Sequence, residues 1–331
     1  WNFPYYQIAR IMAPQLAAGN VILLKHASNV PQSAAAFEKL MQETGLPAGC
    51  FQNLYATRDQ IETIINDPRV QGVALTGSEG AGALVAAQAG RALKKSTMEL
   101  GGSDAFIVLD DADLDKAVKW AVFGRHWNGG QVCCSSKRII VHESIHDEFV
   151  RRYTEGVAQL KAGDPMEAST TLAPLSSQQA ADDVRRWIDE AVAHGATATV
   201  IGAEVPRQGA FVRPVLLTGV KPGNPVYHHE FFGPVSMIFK VKDEDEAIRL
   251  ANDSPFGLGG SVFTQDIERG KRVAAQISTG MVYINHPTAV KADLPFGGIR
   301  RSGYGRELIG LGLKEFVNHK LVGVTDIDGA F

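Results

Sequence analysis

The chain has 331 residues, about the length of two domains, with 45% hydrophobic and 21% charged residues, an ordinary globular balance. Its 33 basic and 36 acidic residues leave a net charge of −3, which argues against a nucleic-acid binder. No apolar run is long enough to span a bilayer. The three cysteines (Cys50, Cys133 and Cys134) are too few for a disulfide framework, so the composition reads as cytoplasmic.

The opening Trp1-Asn2-Phe3-Pro4-Tyr5-Tyr6 has no flexible lead and reads as the start of a piece of a longer chain. Ile8, Ile11, Met12 and Leu16 then recur at helical spacing until Gly19-Asn20. Residues 21–24 are wholly apolar, as in a buried parallel strand. A helix over 32–44, a weak strand over 51–55, a helix around 61–65, a strand over 70–75 and a helix over 81–90 follow. This alternation implies a parallel sheet with helices on its faces. After Gly101-Gly102 the pattern predicts strands over 106–109, 137–141, 235–239, 259–263 and 280–284. Helices are predicted over 113–123, 145–160, 177–193, 244–252 and 266–276, with loops over 162–176 and 286–306. Residues 316–324 read as a strand without a nearby partner, and a boundary falls near residue 101.

Four segments carry candidate chemistry. His142-Glu143-Ser144-Ile145-His146 matches the H-E-x-x-H zinc pattern. However, His142 closes a predicted strand and Ser144 reads as a helix N-cap, so the histidines fall on different elements and no metal is assigned. Gly77-Ser78-Glu79-Gly80-Ala81-Gly82 is a Gly-rich strand-to-helix turn whose N–H groups suit phosphate or simply close a tight turn. It fails the dinucleotide fingerprint, since Val85 stands where Gly or Ala belongs. Cys133 lies in a polar, Gly-rich loop that suits an exposed, activated thiolate better than a structural thiol. Glu99 follows a strand and precedes two glycines that admit a close approach; it is either a general base or a salt-bridged or solvated acid.

Taken together, these segments resemble the aldehyde dehydrogenase superfamily over essentially the whole chain. The matches run in family order: Trp1-Asn2-Phe3-Pro4, Leu24-Lys25, Thr76-Gly77-Ser78, Glu99-Leu100-Gly101-Gly102, Gly130-Gln131-Val132-Cys133, Glu230-Phe231-Phe232-Gly233-Pro234 and Pro295-Phe296-Gly297-Gly298. Within the superfamily they are most similar to bacterial enzymes acting on succinate semialdehyde. The resemblance implies an α/β fold. Residues 1–101 would form an incomplete Rossmann-type nucleotide-binding domain, 102–307 a catalytic domain, and 308–331 a segment with an oligomerisation strand.

It further implies Cys133 as nucleophile, Asn2 with the Cys133 N–H as oxyanion hole, Glu99 as the base for thioester hydrolysis, and Glu307 as a second acid relaying protons. Lys25, Gly77, Ser78, Glu230 and Phe232 carry over as contacts to NAD or NADP, and Trp1, Gly82 and Leu100 join them. Ser28 stands where NAD-selective members often carry a Glu that repels a 2′-phosphate, which leaves NADP open. Arg10 takes the place of a carboxylate-binding Arg. A second Arg of some relatives is Trp127 here, with Lys291 a substitute by position. The partners implied are a small aldehyde and other copies of the chain in a dimer or tetramer, with no nucleic acid and no membrane. Another semialdehyde, an aliphatic aldehyde, or a non-catalytic fragment unable to hold cofactor remain alternative readings.

Overall fold

The computed structural model describes residues 1–329. Helix α1 (Tyr6–Ala17) is followed by strand β1 (Ile22–Leu24), helix α2 (Pro31–Glu43) and strand β2 (Phe51–Asn53). Helix α3 (Arg58–Asn66) opens on a capping box in which Thr57 and Gln60 satisfy each other's backbone N–H. Strand β3 (Gly72–Thr76), helix α4 (Glu79–Arg91) and strand β4 (Lys95–Glu99) complete this part.

The predicted alternation is present but does not build one sheet. β1 and β2 pair in parallel by themselves, while β3 and β4 pair in parallel elsewhere. The expectation of a buried strand over 21–24 is corrected with it. Ile22 and Leu24 face a small core of Ile8, Met12, Phe37 and Phe51, while Val21 and Leu23 are exposed.

From Ala105 the chain builds a larger layer. Its elements are β5 (Ala105–Val108), α5 (Leu114–His126), β6 (Arg138–His142), α6 (Glu143–Ala158), α7 (Gln178–Ala193), β7 (Thr197–Val200), β8 (Val215–Thr218) and β9 (Val235–Val241). Then come α8 (Glu244–Asn252), β10 (Phe256–Gly257), β11 (Gly260–Phe263), α9 (Ile267–Ala274), β12 (Tyr283–Ile284), β13 (Ile299–Arg300), β14 (Gly303–Tyr304) and α10 (Ile309–Lys314). Seven strands form one sheet in the order β12-β11-β5-β6-β9-β8-β7, parallel except for the β7–β8 pair. Alternation along β5 sends Phe106 and Val108 towards α5 and α6, and Ala105 and Ile107 towards α8 and α9. Burial on both faces explains why the central strands read as continuous apolar runs.

Three expectations need correction. β7 and β8 were not visible as strands: β7 is a mostly exposed, Thr-containing edge, and β8 is a short run after a polar loop. Residues 286–306 are not wholly loop, because β13 pairs with β10 and β14 pairs antiparallel with β4, setting Gly303 opposite Glu99. Among the described residues the tail 316–324 makes no strand; Leu321, Val322 and Val324 lie exposed with no ladder partner in this chain. No helix among the described residues is long and apolar enough to cross a membrane.

Candidate active site

The site begins with a reversal of the backbone after α5. Asn128, Gly129 and Gly130 all take left-handed conformations, with φ of 52°, 64° and 79°. A Cβ on Gly130 would lie 2.5 Å from the Gly233 carbonyl oxygen, so only glycine fits there. The chain then turns back past Cys133 and enters β6. Cys133 is half-buried and free, packed against a buried cluster that includes Val132, Leu258 and Phe296.

Two buried cations hold this loop and a third, Arg138, ties the strand after it to its neighbours; sequence reasoning missed all three. Arg125 donates to the carbonyls of Val235 (2.6 Å), Phe231 (2.9 Å) and Gly233, and to Ser135 Oγ (2.6 Å). Arg138 donates to Ser103 O (2.9 Å) and, at the end of α8, to Leu250 O and Ala251 O (both 2.8 Å). Lys137, fully buried, donates to Val132 O and Cys133 O, both at 2.7 Å, and pairs with Glu230 Oε1 at 3.0 Å. The signal was a Lys137-Arg138 pair leading directly into the apolar Ile139-Ile140-Val141. Cations there must either lie outside the sheet or be met by carbonyls.

The glycines after Glu99 have a steric reason. A Cβ on Gly101 would lie 2.2 Å from Glu230 Oε2, and one on Gly102 would lie 2.6 Å from Cys133 O. Gly102 N–H also donates to Glu230 Oε1 at 2.9 Å. Glu99 itself ends β4, held between β3 and β14. Its side chain is 4% exposed and neither carboxylate oxygen has a hydrogen-bond partner. Burial, then the nearby charge of Glu307, hold its pKa well above the usual carboxylate range. That excludes the salt-bridged or solvated acid considered from sequence.

Arg10 on α1 is 3% exposed, stacked on Phe296 with its guanidinium carbon 4.4 Å from the ring centre. Its Nε lies 2.8 Å from Glu307 Oε2, but the N–H is not aimed at the oxygen, so this is an ion pair without a formed hydrogen bond. Among the described residues neither Nη group of Arg10 has a protein acceptor, nor is either sealed from solvent. Burial pushes Glu307 up to about 7, opposed by Arg10. The Cys133 thiol is held below its usual range by a hydrogen bond from Cys134, against burial, with Arg10 and Lys137 adding favourable charge. The same hydrogen bond and burial raise Cys134.

Asn2 is fixed from both ends. Gln7 Nε2 donates to its Oδ1, and its Nδ2 donates to Gln131 O at 2.8 Å, leaving one N–H free. Among the described residues the Cys133 N–H meets no backbone carbonyl.

The expected cofactor residues separate into two groups. Lys25, Ser28, Gly77 and Ser78 are all exposed, and Ser78 Oγ caps α4 at 3.4 Å from Ala81 N. These residues leave a helix N-terminus open to a phosphate. Gly82 lies instead inside the packing: its Cβ would sit 2.5 Å from Leu100 Cδ2, so it admits Leu100 rather than a ligand. Leu100 is buried, with its N–H on Ser302 O at 3.0 Å. Trp1 meets Phe232 edge-on at 5.8 Å, and both line a crevice with Glu230, Gln131 and Trp187. Lys291 is exposed on its loop, one residue after Val290, which packs against the same buried cluster as Cys133.

The zinc pattern dissolves on the fold. His142 is itself the α6 N-cap, accepting from Ser144 N, which corrects the assignment to Ser144. His146 pairs with Asp147. Among the described residues no cluster of His, Cys, Asp and Glu could hold a metal.

A thiol, two buried carboxylates and an arginine thus meet between a parallel sheet and a smaller one, beside an open helix N-terminus. This convergence is the candidate active site of an α/β enzyme, with a free cysteine among its residues. The aldehyde dehydrogenase family model matches residues 1–322, and the chain belongs to that family. The NADP(+) succinate-semialdehyde dehydrogenase of Deinococcus radiodurans is 52% identical over 97% of this chain and 68% of its own length. An NADP(+) succinate-semialdehyde dehydrogenase of Mycobacterium ulcerans is 46% identical over 98% and 71%. The crystal structure of succinic semialdehyde dehydrogenase from Streptococcus pyogenes with NADP+ superposes with a TM-score of 0.96 at 51% identity, over 98% of this chain and 72% of that one.

Proposed function

We propose that the protein oxidises succinate semialdehyde to the free acid with NADP+. The supporting observation is the convergence of Arg10 on Cys133 and Glu99, whose protonation its charge biases. The Cys133 thiolate adds to the aldehyde carbon, forming a C–S bond and an alkoxide that faces the free Asn2 N–H and the Cys133 N–H. When bound, the dinucleotide supplies the hydride acceptor. Loss of hydride leaves a Cys133 thioester. Glu99 takes a proton from water as its oxygen attacks the thioester carbon, and the C–S bond breaks to release acid and thiolate. Glu307, balanced by Arg10, is the acid placed to pass that proton on. Residues 1–101 form the nucleotide-binding part and also contribute Asn2, Arg10 and Glu99 to the chemistry, 102–307 contribute the thiol and Glu307, and the segment after 307 makes the contact with another copy.

For the substrate, the free Nη groups of Arg10 take the distal carboxylate. Arg10→Ala is expected to raise KM for succinate semialdehyde about 10–100-fold more than KM for an uncharged aliphatic aldehyde. Comparing the two cancels the disturbance to Glu307, and equal effects on both substrates would refute the assignment.

For the cofactor, exposed Ser28 offers no repulsion to a 2′-phosphate. Ser28→Glu is expected to lower kcat/KM with NADP+ roughly tenfold while nearly sparing NAD+. An unchanged ratio between the two cofactors would show that the 2′-phosphate lies elsewhere.

A further inference from the structure

Lys137 has no part in the chemistry above, yet its environment is unusual. A fully buried ammonium has three N–H donors, and here each has a partner: Val132 O, Cys133 O and Glu230 Oε1. Two of those partners are consecutive carbonyls of the loop that carries the thiol, and the third is the carboxylate that Gly101 and Gly102 admit. Its Nζ also stands 5.7 Å from the centre of the Phe232 ring. One side chain therefore joins the nucleophile loop, the β4–β5 turn and the segment that starts at Glu230. We propose that Lys137 is a positioning residue for the thiol: its ammonium fixes the Val132 and Cys133 peptides and, counterbalanced by Glu230, sets the local charge at the Cys133 sulfur.

The inference rests on Cys133 being the nucleophile. The other charged or titratable groups around the thiol are Arg10 from α1, Glu99 from β4, and Cys134 beside it on the loop; Asp104 and Glu307 face the Lys137 and Arg10 sides. Lys137 and Glu230 act on the thiol with opposite sign, the first favouring thiolate and the second opposing it. A mere strut would show no such opposition. Removing either end of a strut loosens the loop in the same direction.

The test is the pH dependence of iodoacetamide alkylation at Cys133, located by peptide mass, in the full chain and in Lys137→Met and Glu230→Gln. The alkylation midpoint is expected to rise by about one pH unit in Lys137→Met and to fall in Glu230→Gln. Glu230→Gln keeps the volume and the acceptor for Gly102 N–H, so it remains informative even where Lys137→Met does not fold. A midpoint that stays put or rises in Glu230→Gln overturns the proposal. Label on Cys50 or Cys134 rather than Cys133 in the unaltered chain would instead defeat the reading of Cys133 as nucleophile, and this proposal with it.

Discussion

Cys133→Ala is expected to lose turnover of succinate semialdehyde by a factor on the order of 10⁴ or more, with the fold intact. The thiol supplies the only covalent handle in the proposed reaction, so neither the oxyanion donors nor Glu99 can substitute for it. Cys133 is half-buried and its side chain packs against a cluster with Val132 and Phe296, so truncation removes a single sulfur from the edge of that cluster. Loss of stability is expected to be small beside the loss of rate. Cys134 provides the internal comparison. It is buried and its thiol is held protonated by its hydrogen bond to Cys133 and by burial. Cys134→Ser keeps a donor at that place and is expected to retain most of the activity. Measured as initial NADPH absorbance beside thermal unfolding, retained turnover in Cys133→Ala would eliminate the covalent mechanism. Equal losses in both variants would point to damage to the loop.

Periodicity made the larger sheet legible because its strands are buried on both faces and its helices on one. Ile139-Ile140-Val141 is apolar throughout, and α7 sets Val184, Ile188 and Ala191 at helical spacing. The signal failed where pairing rather than burial makes the strand. β13 and β14 each have only two residues, and their existence depends on β10 and β4, which lie far away in sequence. The tail, read as a strand without a nearby partner, meets no edge among the described residues of this single chain. Leu321, Val322 and Val324 have strand-like side chains, but a strand also needs an edge to pair with.

The site divides along a similar line. Cys133 and Glu99 stood out locally, because a thiol in a Gly-rich loop or an acid before two glycines is conspicuous, whereas Asn2 and Arg10 came only from the family resemblance. What the two glycines serve was not readable: Gly101 and Gly102 make room for Glu230 and the Cys133 carbonyl, residues that meet them only in the folded chain. The partners of Arg125 and Arg138 were invisible for the same reason, although the Lys137-Arg138 pair ahead of an apolar strand hinted that buried cations stood there. A cation satisfied by distant backbone carbonyls leaves no partner pattern in sequence.

Glu99→Gln is expected to separate the two halves of the reaction. In the proposed reaction hydride leaves before water attacks, so the variant should release about one equivalent of NADPH per chain in a burst. Steady turnover should then fall by about 10²–10⁴-fold, with acyl enzyme accumulating on Cys133. The pH dependence has a definite sign. A raised carboxylate pKa means that Glu99 becomes a base only as pH climbs through that value, so hydrolysis in the unaltered chain rises with pH. This limb should vanish in the variant, while the earlier limb due to the thiol persists in the burst. Stability runs the other way. The folded state holds the Glu99 proton more tightly than the unfolded chain. Its contribution is therefore fully favourable below the ordinary carboxylate pKa and declines as pH rises towards the folded value. Glu99→Gln removes a carboxylate whose oxygens have no hydrogen-bond partner, so its melting temperature should exceed that of the unaltered chain, more at mildly alkaline than at acid pH. Loss of the burst together with steady turnover would place Glu99 in activation of the thiol rather than of water. Higher melting temperature combined with a lost second half-reaction is the signature of a buried acid retained for chemistry at a cost in stability.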